Sequence, residues 1–157
     1  MKKIFYAGSF NPFTKGHADI LQRLLALADE VVIGIGVNID KPETSLQAER
    51  NEEAIRRYLE AEGLQQRVTV KRYTGLTAVV AREEGATCMA RGVRNATDFD
   101  YEFSLASANR DAFGIETILL PANPALSFVS STLIRDLEAR GYDDLARKYL
   151  PETSQDK

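Results

Sequence analysis

The stretch Val31-Val32-Ile33-Gly34-Ile35-Gly36-Val37 is apolar from end to end and carries no charge. A strand with one wet face would alternate polar and apolar positions, so this run reads as a strand covered on both faces. Such a strand needs layers above and below it, and the rest of the chain supplies them. Short β-rich runs at 3–7, 68–70, 87–90 and 116–120 alternate with helical stripes at 17–28, 46–62, 76–84, 99–113, 131–140 and 142–149. Gly8, Gly63 and Gly85 stand where runs break. Strand–helix alternation of this kind predicts an α/β fold: a five-stranded parallel sheet flanked by helices, joined by right-handed crossovers. Ligands of such sheets sit in the crevice beyond the carboxyl ends of the strands, so chemistry-bearing residues should follow strands directly.

The 157 residues are enough for one domain, expected over 1–150, with a frayed tail at 151–157. A net charge of -3 gives no electrostatic reason for binding nucleic acid or a membrane surface, so an anionic ligand needs a local cluster of positive groups. No apolar stretch approaches bilayer-spanning length, and the apolar residues after Met1-Lys2-Lys3 are too few for a secretory core. The single Cys88 excludes an internal disulfide and suits a reducing cytosol, and its apolar surroundings read as a small buried core residue. A cytoplasmic location is the expectation.

The first strand runs out into Gly8-Ser9-Phe10-Asn11-Pro12-Phe13-Thr14-Lys15-Gly16-His17. Gly8 allows close backbone approach, Ser9 offers a hydroxyl to a phosphate, and Asn11-Pro12 signals a turn. Thr14 can cap the following helix, whose first N–H groups form an anion site, and His17 would aim an imidazole N–H at the same point. A capped helix with a surface histidine is the plainer alternative; convergence at one strand–turn–helix junction favours a phosphate site. The loop lacks the Gly-Lys-Ser/Thr ending of a Walker A sequence and the G-x-G-x-x-G pattern.

Arg91-Gly92-Val93-Arg94 closes the fourth strand and can set two guanidinium forks over one groove, where a solvated basic turn is the bland reading. Ser127-Phe128-Val129-Ser130-Ser131-Thr132 precedes a helix; its hydroxyls read first as caps and also as a seat for the β- and γ-phosphates of a nucleotide. Asp98, Asp100 and Glu102 fall around a helix rather than on one face, which argues for capping and nucleotide contacts rather than a metal cluster.

Thr14-Lys15-Gly16-His17 resembles the (H/T)-x-G-H motif of the nucleotidyltransferase superfamily, and Gly8-Ser9-Phe10-Asn11-Pro12 resembles the G-(T/S)-F-(D/N)-P stretch before it. With Arg91-Gly92-Val93-Arg94, Asp98-Phe99-Asp100-Tyr101-Glu102 and Val129-Ser130-Ser131-Thr132, the chain resembles phosphopantetheine adenylyltransferases in order and spacing from residue 4 to about 151. The resemblance implies a Rossmann-like nucleotidyltransferase fold. It implies adenylyl transfer from ATP to 4′-phosphopantetheine, giving dephospho-coenzyme A and pyrophosphate by direct in-line attack. Ser9, Lys41, Thr77 and Arg91 would then contact phosphopantetheine. Ser9, Phe10, His17, Gly92, Val93, Arg94, Glu102, Leu126, Ser127, Phe128, Val129, Ser130, Ser131 and Thr132 would line the ATP site, with His17 stabilising the transition state. Mg²⁺ accompanying ATP, a homohexamer and feedback inhibition by coenzyme A follow from the same likeness. Asn11, Lys15, Asp40, Thr77 and Leu126 depart from residues common in the family. The alternatives are a nucleotidyltransferase with another small acceptor, or a non-catalytic nucleotide-binding α/β protein.

Overall fold

In the computed structural model, which describes residues 2–153, the apolar run at 31–37 forms most of β2 (Glu30–Gly36), with Val31 through Ile35 buried. Alternate side chains serve two layers, as the two-residue period of a strand requires. Val31, Ile33 and Ile35 join Ile4 and Tyr6 of β1 (Lys3–Gly8) in one core with Leu21 and Leu24 of α1 (Lys15–Leu25) and Ile55 and Leu59 of α2 (Pro42–Glu62). Val32 points the other way, into a smaller core with Phe5, Met89, Ile115 and Ala78, Val80 and Ala81 of α3 (Thr77–Glu83). Each fully buried aliphatic side chain contributes roughly 1.5–3 kcal/mol. Gly34 lies between them for a steric reason: a Cβ there would sit 2.2 Å from Cζ of Phe5.

The remaining elements are β3 (Val68–Tyr73), β4 (Cys88–Val93), α4 (Ala96–Phe113), β5 (Glu116–Pro121), a 3-10 turn at Pro124–Leu126, α5 (Ser131–Ala139) and α6 (Asp143–Arg147). The sheet order is β3-β2-β1-β4-β5, with every neighbouring pair parallel. From β1 the chain moves outward to β2 and β3, then crosses back to β4 and β5. The order therefore reverses between β1 and β4, and a crevice opens at their carboxyl ends.

Several boundaries differ from the sequence pattern. α2 begins at Pro42 rather than 46, because proline suits the first helical turn where its missing N–H costs nothing. β3 continues to Tyr73 and β4 to Val93, since pairing with β2 and β5 extends them past their apolar stretches. α4 begins at Ala96 because the Asn95 side chain accepts the Asp98 N–H. Cys88 is half-buried against the larger core rather than enclosed, and partial desolvation raises its thiol pKa. Of the expected tail, residues 154–157 lie outside the described residues. Among the described residues no helix is long and apolar enough to cross a membrane.

Candidate active site

The β1–α1 loop carries the first part of the site. Thr14, 2% exposed, is the N-cap of α1: its Oγ1 accepts the His17 N–H at 3.2 Å, and its own N–H donates to His17 Nδ1 at 3.0 Å. A nitrogen that accepts an N–H carries no proton, so the neutral ring bears its proton on Nε2. Burial, followed by the charges of Arg91 and Arg94, pushes the imidazole pKa down to about 3. Phe13 stacks on the ring at 5.6 Å between centroids and Phe10 meets it edge-on at 4.9 Å. Phe10 holds φ at 48°, the left-handed region that L-residues rarely adopt, and its ring covers Gly8, where a Cβ would lie 3.2 Å from the ring. Strain of this kind gathers at ligand sites where the surroundings enforce it.

β4 and α4 supply the second part. Arg91 Nε and Nη2 grip Glu102, the latter at 2.7 Å, and Nη1 donates to the Ala7 carbonyl at 2.6 Å. Three of the five guanidinium N–H groups are thereby engaged and two stay available. Glu102, the buried residue of α4, has both carboxylate oxygens on Arg91. Arg94 pairs with Asp98 at 2.9 Å; burial works against that carboxylate's charge, but the Arg94 side-chain and backbone hydrogen bonds outweigh it and hold its pKa below the ordinary value. Gly92 packs closely against α1: a Cβ there would lie 3.2 Å from Ile20 Cγ1.

The third part is the start of α5. Ser130 caps the helix by accepting the Leu133 N–H, Ser131 Oγ donates to the Pro12 carbonyl at 2.8 Å, and Arg135 donates to the Asn11 carbonyl. The distant hydroxyl segment is thus stitched onto the β1–α1 loop.

These parts enclose a cleft of about 380 Å³ that brings together Ser9, Phe10, His17, Arg91, Gly92, Arg94, Glu102, Leu126, Val129, Ser130, Ser131 and Thr132. A second cavity of about 320 Å³ lies alongside, reached by Ser9, Thr77, Arg91 and Glu102. Ala7, Gly8, Ser9, Arg91, Tyr101 and Glu102 border both, so Arg91 stands at the junction. Four expected residues line neither cavity. Lys41 is exposed as the N-cap residue of α2, and Val93 is buried in the sheet. Ser127 donates its hydroxyl to the Pro124 carbonyl, and Phe128 is 58% exposed with its ring edge-on to Tyr149. Sequence reasoning missed Tyr6 and Ile20 in the cleft, and Tyr73, Asn109 and Thr117 in the second cavity. They lie inside ordinary strand and helix patterns, with no local signal to set them apart. Among the described residues no group of three His, Cys, Asp or Glu side chains gathers to hold a metal.

The family described as cytidylyltransferase-like matches residues 5–137. A phosphopantetheine adenylyltransferase of Porphyromonas gingivalis is 46% identical over 154 residues, covering 97% of either chain. The chain belongs to the phosphopantetheine adenylyltransferase family. Membership of the phosphopantetheine adenylyltransferases makes it a nucleotidyltransferase, an enzyme of adenylyl transfer. More distant solved structures share the fold. A putative nicotinate-nucleotide adenylyltransferase of Vibrio parahaemolyticus superposes with a TM-score of 0.59 at 18% identity over 97% of this chain and 95% of its own. A bifunctional NMN adenylyltransferase/ADP ribose pyrophosphatase of Francisella tularensis, complexed with AMP and a Mn ion, gives 0.66 at 16% identity over 89% of this chain and 42% of its own.

Proposed function

We propose that the protein transfers the adenylyl group of ATP to 4′-phosphopantetheine by direct in-line attack, without a covalent enzyme intermediate. The observation that carries this reading is the meeting of His17, Arg91, Arg94 and the Ser130–Thr132 hydroxyls on one cleft, beside a cavity joined to it at Ser9 and Arg91. ATP fits the cleft and the acceptor the neighbouring cavity. The long arm of the acceptor is amphipathic, which suits walls that mix Met89, Leu105 and Ala106 with Asn109, Thr77 and Thr117.

A phosphate monoester is mostly dianionic at pH 7, so the acceptor oxygen is already a nucleophile and needs no base. A new bond forms from that oxygen to the α-phosphorus, the bond from the α-phosphorus to the bridging oxygen breaks, and pyrophosphate leaves with the electron pair. Positioning and charge stabilisation then provide the catalysis. His17, neutral with a pKa near 3, is unsuited to carry a proton and suited to donate Nε2–H to the α-phosphate as charge builds there. The two unengaged N–H groups of Arg91 would hold the acceptor phosphate at the junction. Arg94 and the hydroxyls of Ser130, Ser131 and Thr132 would steady the β- and γ-phosphates. The Asp98 and Glu102 carboxylates are committed to arginines, so Mg²⁺ would arrive on the triphosphate oxygens of ATP and neutralise them.

The same reading includes a cytoplasmic homohexamer inhibited by coenzyme A, which contains both the pantetheine arm and the adenylyl group and would fill both cavities. Supporting assembly, α4 leaves Phe99, Tyr101, Phe103 and Leu105 exposed, and the edge strand β5 beside it is only half-buried.

The test is pyrophosphate release with ATP and separate acceptors: 4′-phosphopantetheine, nicotinamide mononucleotide, glycerol 3-phosphate and flavin mononucleotide. Release with phosphopantetheine alone is expected. Preference for another acceptor would overturn the substrate assignment, and no release with any would overturn catalysis of this type.

A further inference from the structure

The cap of α1 differs from the usual reciprocal arrangement in one respect. Ordinarily a Glu or Gln at the third helical position reaches back to the cap residue's N–H. Here the residue that reaches back is His17, a side chain that also lines the cleft. Two groups of Thr14 converge on its Nδ1: the main-chain N–H at 3.0 Å and Oγ1 at 3.3 Å. Oγ1 already accepts the His17 main-chain N–H at 3.2 Å, which leaves the hydroxyl proton to be directed at Nδ1. With Thr14 buried, water does not compete for these bonds. The neighbouring rings of Phe10, edge-on, and Phe13, stacked, restrict the imidazole.

We infer that Thr14 is a positioning residue for adenylyl transfer: by occupying Nδ1 it keeps the His17 proton on Nε2 and holds that N–H toward the cleft. The inference rests on the reading of His17 as a donor to the α-phosphate. The Thr14 main chain alone provides one donor to Nδ1; the hydroxyl provides the second and anchors the turn that presents the first. Without the hydroxyl the turn loses the bond that fixes it to the His17 main chain, the remaining Thr14 N–H is held less firmly against Nδ1, and the Nδ1–H tautomer, which has no proton to offer the substrate, becomes accessible.

Because His17 is the only histidine in the chain, a side-chain ¹⁵N spectrum of untagged protein reports this one ring. At pH 7 the wild-type enzyme is expected to show a protonated Nε2 and an unprotonated Nδ1. This measurement needs no substitution. In Thr14→Val the Nδ1–H signal should grow and kcat should fall by roughly 10- to 100-fold, as for a misplaced catalytic group, with the KM for ATP nearly constant. Thr14→Ser, which keeps the hydroxyl, should recover most of the loss. A wild-type ring protonated on Nδ1 would overturn the inference. So would a Thr14→Val enzyme that matches wild type in both kcat and spectrum while His17→Ala is slow. If His17→Ala itself retained full kcat, the donor reading would fall and this inference with it, a result distinct from failure at Thr14 alone.

Discussion

At position 17 the environment converts an ordinary pH-sensitive side chain into a fixed neutral donor. Its pKa of about 3 lies far below the ordinary value of 6.5, so the ring stays uncharged through the neutral range. His17 should therefore add no inflection near pH 6.5: the kcat profiles of wild type and His17→Gln from pH 5.5 to 8.5 should share one shape, set by the second ionisation of the acceptor phosphate. Replacing His17 with alanine should lower kcat by roughly 10²–10³, the usual loss for one transition-state donor. The depressed pKa has a consequence for stability as well. Between pH 6.5 and 3 the unfolded state binds the proton that the folded state refuses, so this residue's contribution is complete above 6.5 and is lost as pH falls toward 3. Chemical-denaturation midpoints at pH 7 and pH 4.5 should diverge less in His17→Gln than in wild type. At Arg91 the partner matters as much as the charge. Glu102→Gln removes a carboxylate whose side chain is 8% exposed, and should raise the KM for phosphopantetheine more than that for ATP. The energetic loss should be about 1–3 kcal/mol, below that of a fully enclosed pair because the Arg91 side chain is 35% exposed.

At the scale of elements, propensity and period accounted for most of what formed. Thr14 and Ser130 were legible as caps, and both accept the helix N–H groups expected of them. Boundaries that depended on neighbours were not legible. Arg67, in an unremarkable stretch before β3, donates to the carbonyls of Leu25, Ala28 and Asp29 and so closes the end of α1. Nothing local to Arg67 announces partners some forty residues earlier. Arg67→Met should cost about 1.5–3 kcal/mol, the scale of charge-assisted hydrogen bonds, and leave the KM for ATP unchanged. Gly34 read as one position of an apolar run, but the Phe5 ring fills the space its Cβ would need. Gly34→Ala should destabilise by about 1–3 kcal/mol through overpacking, measured as a lower urea midpoint.

For the whole molecule, α4 is the element whose two sides have different work. One side brings Glu102, Ala106 and Asn109 to the cavities, and the other leaves Phe99 and Phe103 in contact with each other and exposed to solvent. A helix that buries a carboxylate and exposes phenylalanines is poorly suited to a monomer. Substituting Phe103, 57% exposed and outside both cavities, with glutamate should shift the sedimentation coefficient toward smaller species. An unchanged sedimentation profile would exclude this face from the proposed assembly. Side-chain period and short-range capping carry the alternating α/β order, the doubly buried β2 and the Thr14 and Ser130 caps, so these were open to reading from the chain alone. Long-range packing settles that Glu102 belongs to Arg91, that Lys41 lies outside the cavities, and that Asn109 and Thr117 share a wall. Those outcomes depend on how strands of distant sequence position are ordered in the sheet, and no local pattern of residues encodes that order.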